Sequence, residues 1–199
     1  MTAYTDPGQH LFWIASRSLG VVALVLAAVS VALGLAMSGR LVKGASSRAR
    51  VKQLHEATAL AALIAIGGHG LALLGDSYLH PGLSGIAIPF AISYRSLWTG
   101  FGIVAGYLAA IFGLSFYVRG WIGPRLWRQL HRWTLAVYVL AVMHTIGAGT
   151  DAGTPWLTAI LIGSGAVIAL LAALRWLPSA GAPEGNGRRR RIPLPSEQF

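Results

Sequence analysis

An all-α bundle of about five transmembrane spans is the fold class that this sequence predicts, and three observations predict it. The chain is 55% hydrophobic and only 11% charged, against roughly 25% charged in soluble domains. Its mean hydropathy is +0.61. Its apolar residues gather into five stretches, each close to the about 20 residues needed to cross a hydrocarbon core, and 14 of its 16 Lys and Arg residues fall in alternate connecting segments. There is no cysteine, which excludes disulfides, thiolate-held clusters and thiolate zinc sites. Any metal must be held by nitrogen or oxygen.

The first stretch runs from Phe12 to Met37. The residues before it hold Asp6 and no Lys or Arg, so they lack the basic start of a cleavable signal peptide, and the stretch is read as a retained helix. A basic connection from Gly39 to Gln53 follows, with Arg40, Lys43, Arg48, Arg50 and Lys52. The second span is Leu54 to Leu74 and the third Leu97 to Val118; Arg119, Arg125, Arg128 and Arg132 separate it from a fourth, His131 to Ile146 with a few flanking residues. The fifth runs from Trp156 to Trp176, with Arg175 and the Arg188–Arg191 run at and beyond its end. The positive-inside rule makes those basic segments cytoplasmic. The expected topology is therefore an outer N-terminal segment (1–11), a transmembrane bundle (12–176) and a disordered basic cytoplasmic tail (177–199). The net charge of +10 follows from this asymmetry and needs no nucleic-acid partner; the partner it implies is membrane lipid.

Four histidines lie in the apolar stretches as two pairs, His55 and His69, 14 residues apart, and His131 and His144, 13 apart. The second and fourth spans both run outward, so His55 and His131 share a level near the cytoplasmic face. His69 and His144 share one near the outer face. At 1.5 Å per residue the two levels are roughly 20 Å apart. An ionisable side chain in hydrocarbon is costly and by default suggests a function. A neutral imidazole that gives one nitrogen to iron and the other N–H to a backbone carbonyl satisfies both polar atoms. Two level pairs are what two stacked haems need. One geometric point resists this: at 100° per residue, 14 residues fall about 40° short of whole turns but 13 fall about 140° short. His131 and His144 therefore do not share a face of a straight helix. Either His131 sits in a tighter first turn or helix crossing rotates the inward face.

Gly67, Gly68 and Gly70 surround His69, and Gly147 and Gly149 follow His144; they leave room for a flat ligand or let helices pack closely. Arg17 and Arg95 are candidate partners for the propionates of an outer haem. On the inner side Lys52, Arg125, Arg128 and Arg132 either meet the other propionates or only enforce topology. Glu56 is a boundary carboxylate or a partner of the His55 site. His10 and His80, with Asp76, Asp151 and Tyr78, are candidates for an acceptor site outside, since imidazole, carboxylate and phenolate all ligate iron.

With these residues in place the chain resembles the ferric reductase-like transmembrane domain family, shared by ferric reductases, NADPH oxidases and the haem-binding membrane subunit of the bacterial periplasmic methionine sulfoxide reductase system. The 14 and 13 spacings carry the resemblance, supported by SRSLGVVALVLAAVSVALGL, GDSYLHPGLSGIAIPFAISYRSLWTGFG and VMHTIGAGTD. It covers about residues 12–176, and these stretches look like the small actinobacterial members. It implies two b-type haems, with His55 and His131 as axial ligands of the inner one and His69 and His144 of the outer one, in a bacterial cell membrane. Members often have six spans, and five are counted here. Larger members continue into a cytoplasmic flavin and nicotinamide domain, whereas the residues after Trp176 are rich in Gly, Pro and Arg, and no Gly-x-Gly-x-x-Gly follows a strand. The expected function is transmembrane electron transfer, with a separate flavoprotein or quinol donor and an acceptor on the outer side. The alternatives are a non-redox membrane protein using its histidines for metal-ion transport or assembly, or a haem subunit serving a periplasmic sulfoxide reductase.

Overall fold

A computed structural model of the protein describes residues 10–39, 41–76 and 78–176. The expected N-terminal segment before residue 10 and the expected tail at 177–199, with its arginine run, lie outside the described residues. All regular structure among the described residues is helical: α1 (Leu11–Ser38), α2 (Ala45–Leu73), α3 (Gly82–Ala87), α4 (Ser96–Ile122), α5 (Pro124–His131), α6 (Thr134–Ala148) and α7 (Pro155–Trp176).

Four of these helices, α1, α2, α4 and α7, are long and apolar enough to cross a membrane. Their outward surfaces fit that solvent, since large aliphatic side chains such as Ile64 and Ile162 are 69% and 67% exposed. Water would not tolerate so continuous an apolar surface. The fifth expected span is the shorter α6, of 15 residues. α2 begins at Ala45, nine residues before the expected start at Leu54, so most of the basic connection is the first turns of a helix.

The expected single span from His131 to Ile146 is instead two helices. α5 ends at His131, Arg132 and Trp133 form a turn, and α6 starts at Thr134. Pro124 opens α5, where its missing N–H costs nothing. Gly123, between α4 and α5, has φ +84°, which a side chain would strain. Leu126, Trp127 and Leu130 lie on one side of α5 and Arg125, Arg128 and Gln129 on the other, the pattern of a helix lying along an interface.

Helices α1, α2, α4 and α6 form a ring in which α1 packs closely on α2 and α4 on α6, with thinner seams between α2 and α4 and between α1 and α6. Small residues on the facing sides, Ala23 of α1 and Ala62 and Ala65 of α2, are buried and let the first two backbones approach. α7 stands outside this ring against α1. Leu24 and Ala28 of α1, Tyr138 of α6 and Leu157 and Ile168 of α7 make one core cluster, and the Tyr138 hydroxyl meets Ser164 Oγ at 2.7 Å. A second cluster, Ala105, Phe112 and Val137, joins α4 to α6.

The far ends of α1 and α6 are joined by Arg17 and Asp151, whose guanidinium and carboxylate pair through two parallel hydrogen bonds. Asp151 is 6% exposed, and the Arg17 guanidinium also lies over the Trp13 ring, 5.0 Å from its centre. Arg17→Leu strands that carboxylate, at a cost of about 1–3 kcal/mol for a buried group left unsatisfied. The expected result is a lower thermal unfolding midpoint in detergent, partly restored by adding Asp151→Asn.

Candidate haem-binding site

The four-helix ring, with residues of α3, α5 and α7, borders a half-open cavity of about 1460 Å³ lined by His55, His69, His131 and His144 together. It is larger than the roughly 300–1,000 Å³ of a pocket for one small organic ligand. His55 faces His131 with ring centres 5.9 Å apart, and His69 faces His144 at 6.2 Å. The histidines thus meet in the two level couples expected from their spacing. Among the described residues no group of three or more His, Asp or Glu side chains comes together.

Each histidine belongs to one helix and leans on its neighbour in the ring. His69 Nδ1 donates to the Ser16 carbonyl at 2.7 Å and His55 Nδ1 to the Ser30 carbonyl at 2.8 Å, both on α1. His144 Nδ1 donates to the Trp98 carbonyl on α4 at 2.9 Å. A carbonyl only accepts, so these bonds fix the N–H on Nδ1 and leave the Nε2 lone pair available to a metal. The serine hydroxyls add a second tie, since Ser16 Oγ donates to the His69 carbonyl at 3.1 Å and Ser30 Oγ to the His55 carbonyl at 3.4 Å.

Glycine supplies the room for this. A Cβ on Gly20 would come within 3.1 Å of His69 Nδ1, one on Gly34 within 3.4 Å of His55 Cε1, and one on Gly102 within 2.5 Å of His144 Nδ1. Each glycine follows the accepting carbonyl by four residues, one helical turn, so carbonyl and gap share a face. Ser16-Arg-Ser-Leu-Gly20 and Ser30-Val-Ala-Leu-Gly34 repeat this unit at the same 14-residue interval that separates His55 from His69. Sequence reasoning missed this matched repeat in α1, although the signal was present.

The fourth histidine is different. His131 Nδ1 is buried and has no hydrogen-bond partner among the described residues. The backbone group that reaches toward it is Phe112 of α4, again 14 residues after its counterpart Trp98, in a contact that falls short of full hydrogen-bond geometry. Four residues after Phe112 stands Phe116, where the other three units have glycine. The Phe116 ring packs on Trp127, and Trp127 stacks on the His131 ring with centres 5.1 Å apart and planes at 22°. Placing His131 on α5, ahead of the turn at Arg132 and Trp133, also answers the phase mismatch of 13 residues. The chain tightens there through i→i−3 hydrogen bonds, from the Arg132 N–H to the Gln129 carbonyl and from the Trp133 N–H to the Leu130 carbonyl, as the first of the two expected alternatives has it.

The geometry fits a haem iron. Metal–imidazole bonds of about 2.0–2.1 Å on both sides, with roughly 1.1 Å from each nitrogen to its ring centre, put the ring centres roughly 6.3 Å apart, against the observed 5.9 and 6.2 Å. A haem held between the rings of a couple would take one nitrogen from each imidazole and bring its other ligands itself. Gly67 and Gly70 beside His69 have open space where a Cβ would project.

The remaining candidates divide. Arg17, Lys52, Glu56, Arg128 and Arg132 line the cavity, with Arg175 and Asp151, whereas Arg95 and Arg125 do not. Arg17 is engaged by Asp151. Arg95, in the left-handed region at φ +42°, donates through Nη1 to the Gly147 carbonyl at 2.7 Å and ties the start of α4 to the end of α6. Glu56 meets Lys52 at 3.5 Å. The expected acceptor group does not assemble, since His10, His80, Asp76 and Asp151 form no cluster. Asp76 instead closes its own turn by accepting from the Tyr78 and Leu79 N–H groups.

Compared with family models, curated proteins and solved structures, the chain matches none of them.

Removing a serine hydroxyl leaves the main-chain acceptor in place. Ser16→Ala is therefore expected to keep the His69 tautomer and, were a haem held at that position, to weaken its retention by no more than about tenfold, the lower bound for loss of an outer-shell partner. Haem loss to apomyoglobin measures it.

Proposed function

We propose that this protein is a transmembrane electron conduit that holds two b-type haems, one between His55 and His131 near the cytoplasmic face and one between His69 and His144 near the outer face. The observation that carries the reading is the meeting of four intramembrane imidazoles in two opposed couples at iron-spanning distance, three with Nδ1 occupied and Nε2 left free. When bound, a haem supplies a one-electron ferric/ferrous couple. The chain's own residues do the rest. Serine and tryptophan carbonyls hold three of the four rings, the helical rise sets the two levels, and the walls between them are mainly apolar.

The proposed membrane is that of a bacterial cell, with the N-terminus outside and the C-terminus in the cytoplasm, following the basic segments. A separate flavoprotein or quinol gives up one electron at the inner level, and an acceptor outside takes one at the outer level, so one negative charge crosses per turnover. A ferric complex and a periplasmic sulfoxide reductase are both acceptors of this kind. Metal-ion transport fits less well. Transport sites gather their ligands at one depth near the midplane, and here the ligands lie at two depths with only two at each.

A reduced-minus-oxidised absorption spectrum of the purified protein tests the reading. The expected result is sharp b-type bands with two haems per chain, and a protein without porphyrin would end the proposal. Vesicles with reductant on one side and a ferric chelate on the other then test whether electrons cross.

A further inference from the structure

Three of the four histidines obey one local rule, in which a carbonyl accepts from Nδ1 and a glycine one turn later makes room for the ring. His131 breaks it. Phe116 occupies the glycine position, and Trp127 caps the imidazole by stacking on it. His131 Nδ1 is left buried with only a weak contact to the Phe112 backbone in place of the full hydrogen bond that the other three make. A hydrogen bond from Nδ1–H makes an imidazole a stronger donor to its metal, and its loss makes it a weaker one.

The charge around the two couples differs in the same sense. Lys52, Arg128, Arg132 and Arg175 line the cavity with only Glu56 to offset them, and they belong to the basic segments at the His55–His131 end. At the other end Arg17 is balanced by Asp151. A weaker axial donor and uncompensated positive charge both favour the ferrous state.

We propose that Phe116 and Trp127, with the cationic lining at that end, set the His55–His131 position at a higher reduction potential than the His69–His144 position, so that a single electron entering the protein rests on the basic side. This rests on the haem reading above and adds a direction to it. Phe116 and Trp127 are positioning residues, since they act through His131. The outward step is uphill in the resting protein, and an inside-negative membrane potential, which pushes negative charge outward, assists it.

Equilibrium redox titration followed by absorption tests this in wild type, His69→Leu, His55→Leu and Phe116→Gly. His69→Leu leaves the basic-end haem and His55→Leu the other one. The remaining haem of His69→Leu is expected to titrate more positively, by at least tenfold in the reduced-to-oxidised ratio, about 59 mV for one electron. Phe116→Gly, which restores the glycine beside the Phe112 carbonyl, is expected to move the more positive wave of the full protein downward and leave the other in place. If the histidine variants do not fold, the Phe116→Gly shift decides alone, and Arg128→Gln with Arg132→Gln is expected to lower that same wave. Equal potentials, the reverse order, or a Phe116→Gly protein with both waves unmoved would overturn the proposal while the two-haem reading stood. Absence of haem from every form would remove both.

Discussion

His69→Leu and His144→Leu are each expected, on the two-haem proposal, to halve the haem content, removing the haem of the His69–His144 couple and sparing the other. The far couple has its own ligands, its own supporting carbonyls at Ser16 and Trp98, and its own glycines at 20 and 102. It shares none of these with the other couple, about 20 Å away along the helices. The variants His55→Leu and His131→Leu are expected to do the converse. Pyridine haemochrome quantification gives the count, and low-temperature spectra separate the two bands. A loss of both haems from each single change would show that the positions are coupled through the ring. Retention of both would show that the imidazoles are not ligands.

Gly102→Val is expected to have an effect nearly as large without touching a ligand. A Cβ at residue 102 would already lie 2.5 Å from His144 Nδ1, and valine adds two further methyl groups to the same space. The ring must leave the Trp98 carbonyl or α4 must move from α6. Overpacking of this kind costs roughly 1–3 kcal/mol. The expected outcome is loss of the outer haem together with a lower unfolding midpoint. Gly163→Ala, on α7 and outside the cavity lining, is the control, because nothing lies within 4 Å of the added carbon, and it is expected to keep both haems. Gly102→Val with two haems and unchanged bands would mean that the His144 ring has an alternative seat.

Much of the architecture was legible in the order of residues. Hydropathy and the basic segments marked all five long stretches, and the ends of α1, α4 and α7 lie within a few residues of the expected ones. The level pairing of the histidines was legible too, because a helix converts residue number into height at a constant rise. The interrupted fourth stretch was not. Neither Pro nor Gly lies between His131 and His144, so no local breaker announced the turn at Arg132 and Trp133. That turn depends on how α5 packs below α4, through contacts such as Phe116 with Trp127.

The assignment of arginines shows the same boundary. Arg17 and Arg95 were equivalent in sequence as cations near one face, yet Arg17 lines the cavity beside Asp151 while Arg95 holds the Gly147 carbonyl. Their partners lie 134 and 52 residues away. No spacing rule reaches that far.

The sequence by itself determined the membrane as solvent, the number and order of the apolar segments, and the two heights at which imidazoles stand, since composition and helical rise are local properties. Only the tertiary structure decided which helices are neighbours, which carbonyl holds each ring, and why His131 is without one. Those depend on lateral contacts between distant segments, where one glycine or one phenylalanine sets how closely two backbones approach.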